Sequence, residues 1–246
     1  MLNPVQNNPK LPHITEMIVA EDEHIVAINK PAFLSTLDER DETKKSLLGL
    51  ARKQWPNIQV CHRLDKETSG IILMAKTNEV YRQMAIQFEH RKVTKWYHAI
   101  AEGCHHFEQF EINKPLKINS KGFAKVDFRE GKESLTIVNT LEIFRHFTLL
   151  QCYPFTGRLH QIRVHLKSQN APLAADMQYG GNMPMLSDIK RKYSAGKDVE
   201  EQPIMNRVAL HARSLHFELF DKTYQLEAEY PKDFGTFLKL LHKYDL

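Results

Sequence analysis

Cysteine is scarce in this chain: Cys61, Cys104 and Cys152 are its only three, odd in number and widely separated. That pattern excludes a disulfide framework and paired thiolate zinc ligands, and fits a reducing cytoplasm. No apolar run approaches the ~18 residues of a membrane helix. The first residues, MLNPVQNNPKLPH, lack a charged segment followed by an apolar one, so no secretory signal is visible and 1–13 is expected to be a flexible lead. There is no internal repeat, no low-complexity block and no P-loop. Gly180-Gly181 is no phosphate-binding fingerprint, which argues against a nucleotide-dependent enzyme.

What remains is an ordinary globular composition, with 42% hydrophobic and 26% charged residues over a length able to bury a substantial core. The net charge of +4 is a mild pointer to a polyanionic partner. Its distribution says more: Arg91, Lys92 and Lys95 cluster, Lys114, Lys117, Lys121 and Lys125 recur through one segment, and no acidic residue interrupts Arg158, Arg163 and Lys167. These are either solvated faces or a phosphate footprint. In Lys190-Arg191-Lys192 the charge is offset by Asp198, Glu200 and Glu201.

Hydrophobic periodicity places two strands within 16–29 around the polar turn Glu21-Asp22-Glu23, the second stopped by Lys30-Pro31. A helix is expected over 46–55, a buried strand after the polar loop 62–70, and a helix capped by Asn78 with Val80, Met84 and Phe88 on one face. Strands follow at 93–101 and, with a break near Arg145-His146, at 135–153. Thr156 is expected to cap a helix carrying Leu159, Ile162 and Leu166, ended by Asn170 and Pro172. Residues 181–206 read as an inserted surface loop, and the remainder as alternating strands closed by a helix. The fold class is α+β with a mixed sheet, in one domain over 14–246.

The loop His62-Arg63-Leu64-Asp65-Lys66-Glu67-Thr68-Ser69-Gly70 is the densest in reactive side chains, set before a strand able to fix what it presents. The same residue types also form ordinary turns. This loop resembles the signature of the RluA-type RNA pseudouridine synthases. So do Lys95-Trp96-Tyr97-His98-Ala99, the run Thr156-Gly157-Arg158-Leu159-His160-Gln161-Ile162-Arg163-Val164-His165, Lys30-Pro31 and Leu210-His211-Ala212, all in that family's order from about residue 16 to the end. The resemblance implies a pseudouridine synthase fold with a mostly antiparallel sheet, isomerisation of uridines in ribosomal or transfer RNA, and no cofactor, metal or obligatory protein partner. It implies that Asp65 attacks the nucleoside or stabilises its opened form, that Arg163 pairs with Asp65, and that Tyr97 lies against the uracil. Arg63 would fill the RNA stack, His62, His160 and Gln161 would hold the RNA site, and Leu210 would pack on the pocket.

The residue types suit that chemistry independently. Uridine must break its C1′–N1 bond and rejoin at C5 before water intervenes. Uracil leaves as a tolerable anion, so the second carboxylate that glycoside hydrolysis needs is dispensable. An arginine beside a carboxylate keeps it ionised, as a nucleophile must be. Extrusion of the base costs a few kcal/mol, and base–aromatic stacking at ~1–3 kcal/mol recovers part of it. Tyr97, beside Trp96, could equally be core.

Two positions depart from the family: Phe33 stands where a glycine often follows Lys-Pro-Ala, and Ala175 where Gly-Asp-x-x-Tyr-Gly has its first glycine. With the first family strand near residue 16, no S4-type RNA-binding domain is expected ahead of the catalytic one. Two rival functions remain. Thirteen histidines raise a metal-dependent hydrolase, but His160 and His165 are ~140° apart on a helix and on opposite faces of a strand. A non-catalytic RNA-binding module would have lost Asp65 or Arg163; both are present.

Overall fold

The computed structural model describes residues 11–246 except 40, 42, 121, 194, 195, 197 and 198. Residues 1–10 of the expected lead therefore lie outside the described residues, while Leu11 already packs against the core. A 3-10 turn, Ile14–Met17, leads into β1 (Ile18–Glu21) and β2 (Ile25–Lys30). Asp22 closes this hairpin, its Oδ1 accepting the N–H groups of His24 and Ile25 at 2.9 and 3.0 Å. There follow α1 (Leu47–Gln54), β3 (Gln59–Val60), β4 (Ser69–Ala75), α2 (Asn78–Glu89) and β5 (Thr94–Glu102). Next come β6 (Phe110–Asn113), β7 (Leu116–Ile118), β8 (Ala124–Val126), β9 (Leu135–Ile143) and β10 (Phe147–Pro154). The chain ends with α3 (Gln161–Lys167), α4 (Leu186–Ile189), β11 (Leu210–Leu219), β12 (Lys222–Glu227) and α5 (Lys232–Tyr244).

Ten strands form one sheet in the order β1-β2-β4-β11-β5-β10-β9-β6, with β12 on β11 and β3 on β4; β7 and β8 form a separate hairpin. This is the expected α+β fold with a mostly antiparallel sheet. The single parallel junction, β4 with β11, pairs Ser69 with His211 and Gly70 with Ala212. Gly70 sits at φ +117°, and a Cβ there would lie 2.3 Å from the Ala212 carbonyl oxygen. Only glycine permits that approach, which explains physically why the motif ends in this residue.

Helices cover the sheet with amphipathic faces. Val80 and Met84 of α2 are buried four residues apart, and Phe234, Phe237, Leu238 and Leu241 of α5 follow the i, i+3, i+4, i+7 rule. Asp245, fully buried at the end of α5, accepts from the His146 N–H at 2.9 Å and bonds the His146 ring, docking the β9–β10 turn.

Several boundaries differ from expectation. The cap of α2 is Thr77, whose hydroxyl accepts the Val80 N–H, rather than Asn78. Thr156 does not cap α3, which starts only at Gln161; its hydroxyl accepts the Leu135 N–H and donates to Gln161 Oε1. The expected loop at 181–206 contains α4, and Ile189 and Met205 are buried in the cluster around α5. Residues 194, 195, 197 and 198 of that segment, Asp198 among them, lie outside the described residues.

Both departures from the family pattern fall at left-handed backbone: Phe33 at φ 64° and Ala175 at φ 59°. Glycine has no steric penalty there, whereas an L-residue loses ~1–2 kcal/mol. Ala175→Gly should therefore raise stability by about 0.5–1 kcal/mol, while Gly70→Ala should lower it by about 3 kcal/mol. Urea unfolding of the two variants checks both signs.

Candidate active site

The loop between β3 and β4 is fixed from several directions. Thr36 Oγ1 donates to the Leu64 carbonyl at 2.9 Å and accepts the Leu64 N–H at 3.2 Å. The Phe33 N–H reaches the Lys66 carbonyl at 2.8 Å, and the Thr68 N–H closes a turn onto the Asp65 carbonyl at 3.1 Å. Two buried cations complete the hold. Lys30 Nζ donates to the carbonyls of Pro31, Leu34 and Lys66 at 3.0, 2.9 and 3.2 Å. Burial, then the Arg207 charge, pull its pKa down to about 7, while Asp65 acts in the opposite sense. Arg207 donates to the Glu67 carbonyl at 3.1 Å and Ser69 Oγ at 3.2 Å, and its fork engages both oxygens of Asp233 at 2.7 and 3.0 Å.

Ser69 extends this network. Its hydroxyl, accepting from Arg207, donates to His211 Nδ1 at 2.9 Å, while His211 Nε2 faces the Ala228 carbonyl at 3.2 Å. A carbonyl only accepts, so His211 carries its proton on Nε2. Burial, outweighing its hydrogen bond to Ala228, holds its pKa down to about 4. His62 is likewise held at about 3 by burial and the Lys95 charge, its Nε2 accepting the Leu73 N–H at 3.1 Å.

Asp65 projects into a cavity of about 720 Å³ also lined by Tyr97, His160, Arg163 and Leu210. His62, Arg63 and Gln161 line it too, so every residue singled out from the sequence borders one space. Tyr97 stays a phenol, because burial and the Asp65 charge push its pKa above the usual tyrosine value. Arg63 is exposed and has no ion-pair partner among the described residues. Leu210 is buried at the start of β11.

His160 sits at φ 52°, a left-handed conformation unusual for a β-substituted residue and of the kind found at functional sites. The Tyr179 hydroxyl accepts the Ala124 N–H at 3.1 Å and has its own proton to donate to His160 Nδ1 at 2.8 Å. That leaves the Nε2 proton facing Asp65, with Nε2 3.8 Å from Oδ2. Burial lowers the His160 pKa, with Asp65 opposing, so a neutral imidazole presents this N–H.

The expected Arg163–Asp65 pair is corrected. Arg163 forks onto Asp176, Nε to Oδ2 and Nη2 to Oδ1 both at 2.7 Å, with Gln178 Oε1 at 3.1 Å and the Tyr179 ring 4.8 Å beneath its guanidinium carbon. Burial opposes its charge, but the Asp176 contact outweighs burial and raises its pKa; Asp65 acts only through space. A two-pronged contact with a buried carboxylate satisfies the guanidinium fork better than a second carboxylate in a solvent-reached cavity. Gln161 lines the cavity but is held by the scaffold. Its amide donates to the Leu135 carbonyl and Thr136 Oγ1 and accepts from Thr156 and the Arg158 N–H, so it is spent on the scaffold.

Asp176, Tyr179, Lys30 and Arg207 are residues around the site to which sequence reasoning assigned no role, although Lys30 stands in the Lys-Pro element it did match. The first two belong to the Asp-x-x-Tyr-Gly element, a signal that was available; Arg207 had none. His165 bonds Thr136 Oγ1 and the Lys114 carbonyl in the interior. Among the described residues, no group of three His, Cys, Asp or Glu could hold a metal ion. Of the basic segment, Lys117 pairs with Glu130, Lys125 with Asp127 at 3.2 Å, and Lys114 donates to the Ser168 carbonyl at 3.1 Å; Lys121 lies outside the described residues. Exposed pairs of this kind are weak and exchange readily for phosphates.

A family model described as RNA pseudouridylate synthase matches residues 24–168. The chain belongs to the RNA pseudouridylate synthase family. It is 36% identical to the dual-specificity RNA pseudouridine synthase RluA of Vibrio cholerae, over 70% of this chain and 71% of that protein. It is 31% identical to ribosomal large subunit pseudouridine synthase D of Zymomonas mobilis, over 97% of this chain and 76% of that protein. The human RNA pseudouridylate synthase domain containing 1 superposes with a TM-score of 0.66 at 25% identity, covering 87% of this chain and 83% of its own. The human domain containing 4, at 22% identity and a TM-score of 0.70 over 93% and 94%, supports the fold. An RNA pseudouridine synthase is an isomerase, and its substrate is RNA. No described helix is long and apolar enough to cross a membrane.

Two outcomes follow from this geometry. Arg163→Ala or Asp176→Ala strands a buried charge and should each cost about 3–5 kcal/mol in stability, the double variant costing much less than their sum. A mild Asp176→Ala effect, below about 1 kcal/mol, would return Arg163 to Asp65. The second concerns pH. His62 and His211 have folded pKa values of about 3 and 4 against an ordinary 6.5, so the unfolded chain takes up protons first on acidification. Their contribution is complete above the unfolded value and lost as pH falls from 6.5 towards 4. Thermal melts should show Tm falling through that window, and His211→Gln should shallow the fall.

Proposed function

We propose that this synthase isomerises uridines in structured ribosomal RNA, with transfer RNA as a second substrate class, using Asp65 as its central catalytic group. The supporting observation is the position of Asp65. Its charge is felt at Tyr97, His160 and Arg163, around a cavity with room for an extruded nucleotide. The names of the relatives, one a dual-specificity RNA pseudouridine synthase and one a ribosomal large subunit pseudouridine synthase, favour ribosomal RNA.

In this reading the uridine leaves its helix, Arg63 occupies the space left in the stack, and the uracil lies against the Tyr97 ring. Asp65 attacks the nucleoside or stabilises its opened form as the C1′–N1 electrons depart with uracil. The base turns, C5 bonds to C1′, the C5 proton is lost and N1 gains one. The neutral His160 N–H faces Asp65 from 3.8 Å without neutralising it. Arg163, clamped on Asp176, holds α3 and the segment after it in register and adds a positive field without neutralising the carboxylate. The chemistry proceeds without metal or cofactor. Residues 14–246 act as one catalytic domain, and the free thiols of Cys61, Cys104 and Cys152 suit a cytoplasmic location.

Purified protein should release tritium from RNA labelled at uridine C5. Asp65→Asn should reduce release by at least ~10⁴-fold, the scale of losing a nucleophile, while RNA binding persists. Full activity in Asp65→Asn would refute the mechanism. Carbodiimide primer extension on RNA from cells with and without the gene would identify the target.

A further inference from the structure

Lys95, one of the basic cluster noted in the sequence and a charge felt at His62, takes no part in the mechanism above, yet it lines the same cavity. It lies two residues before Tyr97 on β5, so both side chains leave the same face of the strand, about 7 Å apart along it. Lys95 is half-buried, and among the described residues no carboxylate lies within ion-pair distance of it. Burial of a cation without a counterion is costly, and such a cation persists where an incoming anion meets it. The groups facing it divide by element. The catalytic loop contributes Arg63, Asp65 and neutral His62; the end of α2 contributes Glu89 and Arg91; the approach to α3 contributes Arg158, His160 and Arg163. Arg163 is committed to Asp176, and Arg158 Nε donates to the Glu133 carbonyl at 3.1 Å. On β11, Leu215 pairs with Lys95 and His216 with Thr94.

We propose that Lys95 binds a backbone phosphate of the extruded nucleotide, fixing the sugar over Asp65 while the base lies on Tyr97. The inference rests on the pseudouridine synthase reading and assigns the anion contact of that same site. An ammonium is a point charge suited to a phosphodiester, and the strand spacing sets one contact for the base beside one for its phosphate. Burial also pulls the Lys95 pKa down to about 8. RNA affinity therefore weakens as pH rises through that value, because the free protein must regain a proton to bind. Arginine at this position stays charged throughout.

The test is binding of a fluorescent stem-loop RNA with an unpaired uridine, measured against salt and pH for wild type, Lys95→Met and Lys95→Arg. Lys95→Met should weaken binding at pH 7 by about tenfold, the value of one charged hydrogen bond. It should also reduce the slope of log K against log salt by about 0.7, one phosphate contact on a single strand. A contact to a neutral uracil oxygen would leave the slope unchanged and overturns the proposal. Between about pH 7 and 9 wild type should lose affinity that Lys95→Arg retains. Lys30 titrates near 7 in all three proteins, so the difference between them isolates Lys95. Should Lys95→Met fold poorly, the arginine variant decides alone: equal alkaline loss in both proteins refutes the assignment. Absence of tritium release by wild type would defeat the enzymatic reading instead, and the binding comparison does not depend on it.

Discussion

Two fully buried cations hold the loop that carries Asp65 by its own carbonyl oxygens. Lys30 grips the Lys66 carbonyl from the amino-terminal side, and Arg207 grips that of Glu67 from the carboxy-terminal side while anchored to Asp233 of α5. A buried ammonium and a buried guanidinium must find acceptors, and backbone carbonyls of an irregular loop must find donors. Each requirement answers the other. The Asp65 carboxylate is thereby left free to face the cavity, because the charges that position its loop do not neutralise it.

The same economy recurs on the opposite wall. Arg163 is saturated by Asp176, and His160 is turned by Tyr179 so that an N–H, and no cation, faces Asp65. Tyr179 also receives the Ala124 N–H, which ties the β7–β8 hairpin to His160. Asp65 thus faces a neutral imidazole and an already paired guanidinium across the cavity, while the cations Arg63 and Lys95, unpaired among the described residues, stand elsewhere on its wall. That arrangement suits a reaction in which the leaving base needs no strong acid and must not meet activated water.

Much of this was legible in the sequence. Long buried strands such as β4, and helices with apolar faces such as α2, declare themselves by periodicity. The motif loop marked Asp65, and its terminal glycine has a steric cause at Ala212. Other parts were hidden for physical reasons. β6, β7 and β8 are three or four residues each, too short for alternation to register. Thr156 looked like a cap because its hydroxyl is indeed committed, but to the side chain of Gln161 and to the distant Leu135 N–H rather than to a helix terminus. The partner of Arg163 could not be read from spacing, since two carboxylates compete for one guanidinium and burial decides between them. Arg207 looks like an ordinary surface residue until the fold encloses it, and the Lys-Pro element marks Lys30 without revealing which carbonyls it holds.

The central claim is that the Asp65 loop is held in its working shape before RNA arrives. Amide hydrogen exchange of the RNA-free protein tests this directly at Leu64 and Thr68, whose N–H groups bond Thr36 Oγ1 and the Asp65 carbonyl. Both amides should exchange only through the opening that releases the buried strand β4. Exchange at unfolded-chain rates, becoming slow only when RNA is added, would contradict the account.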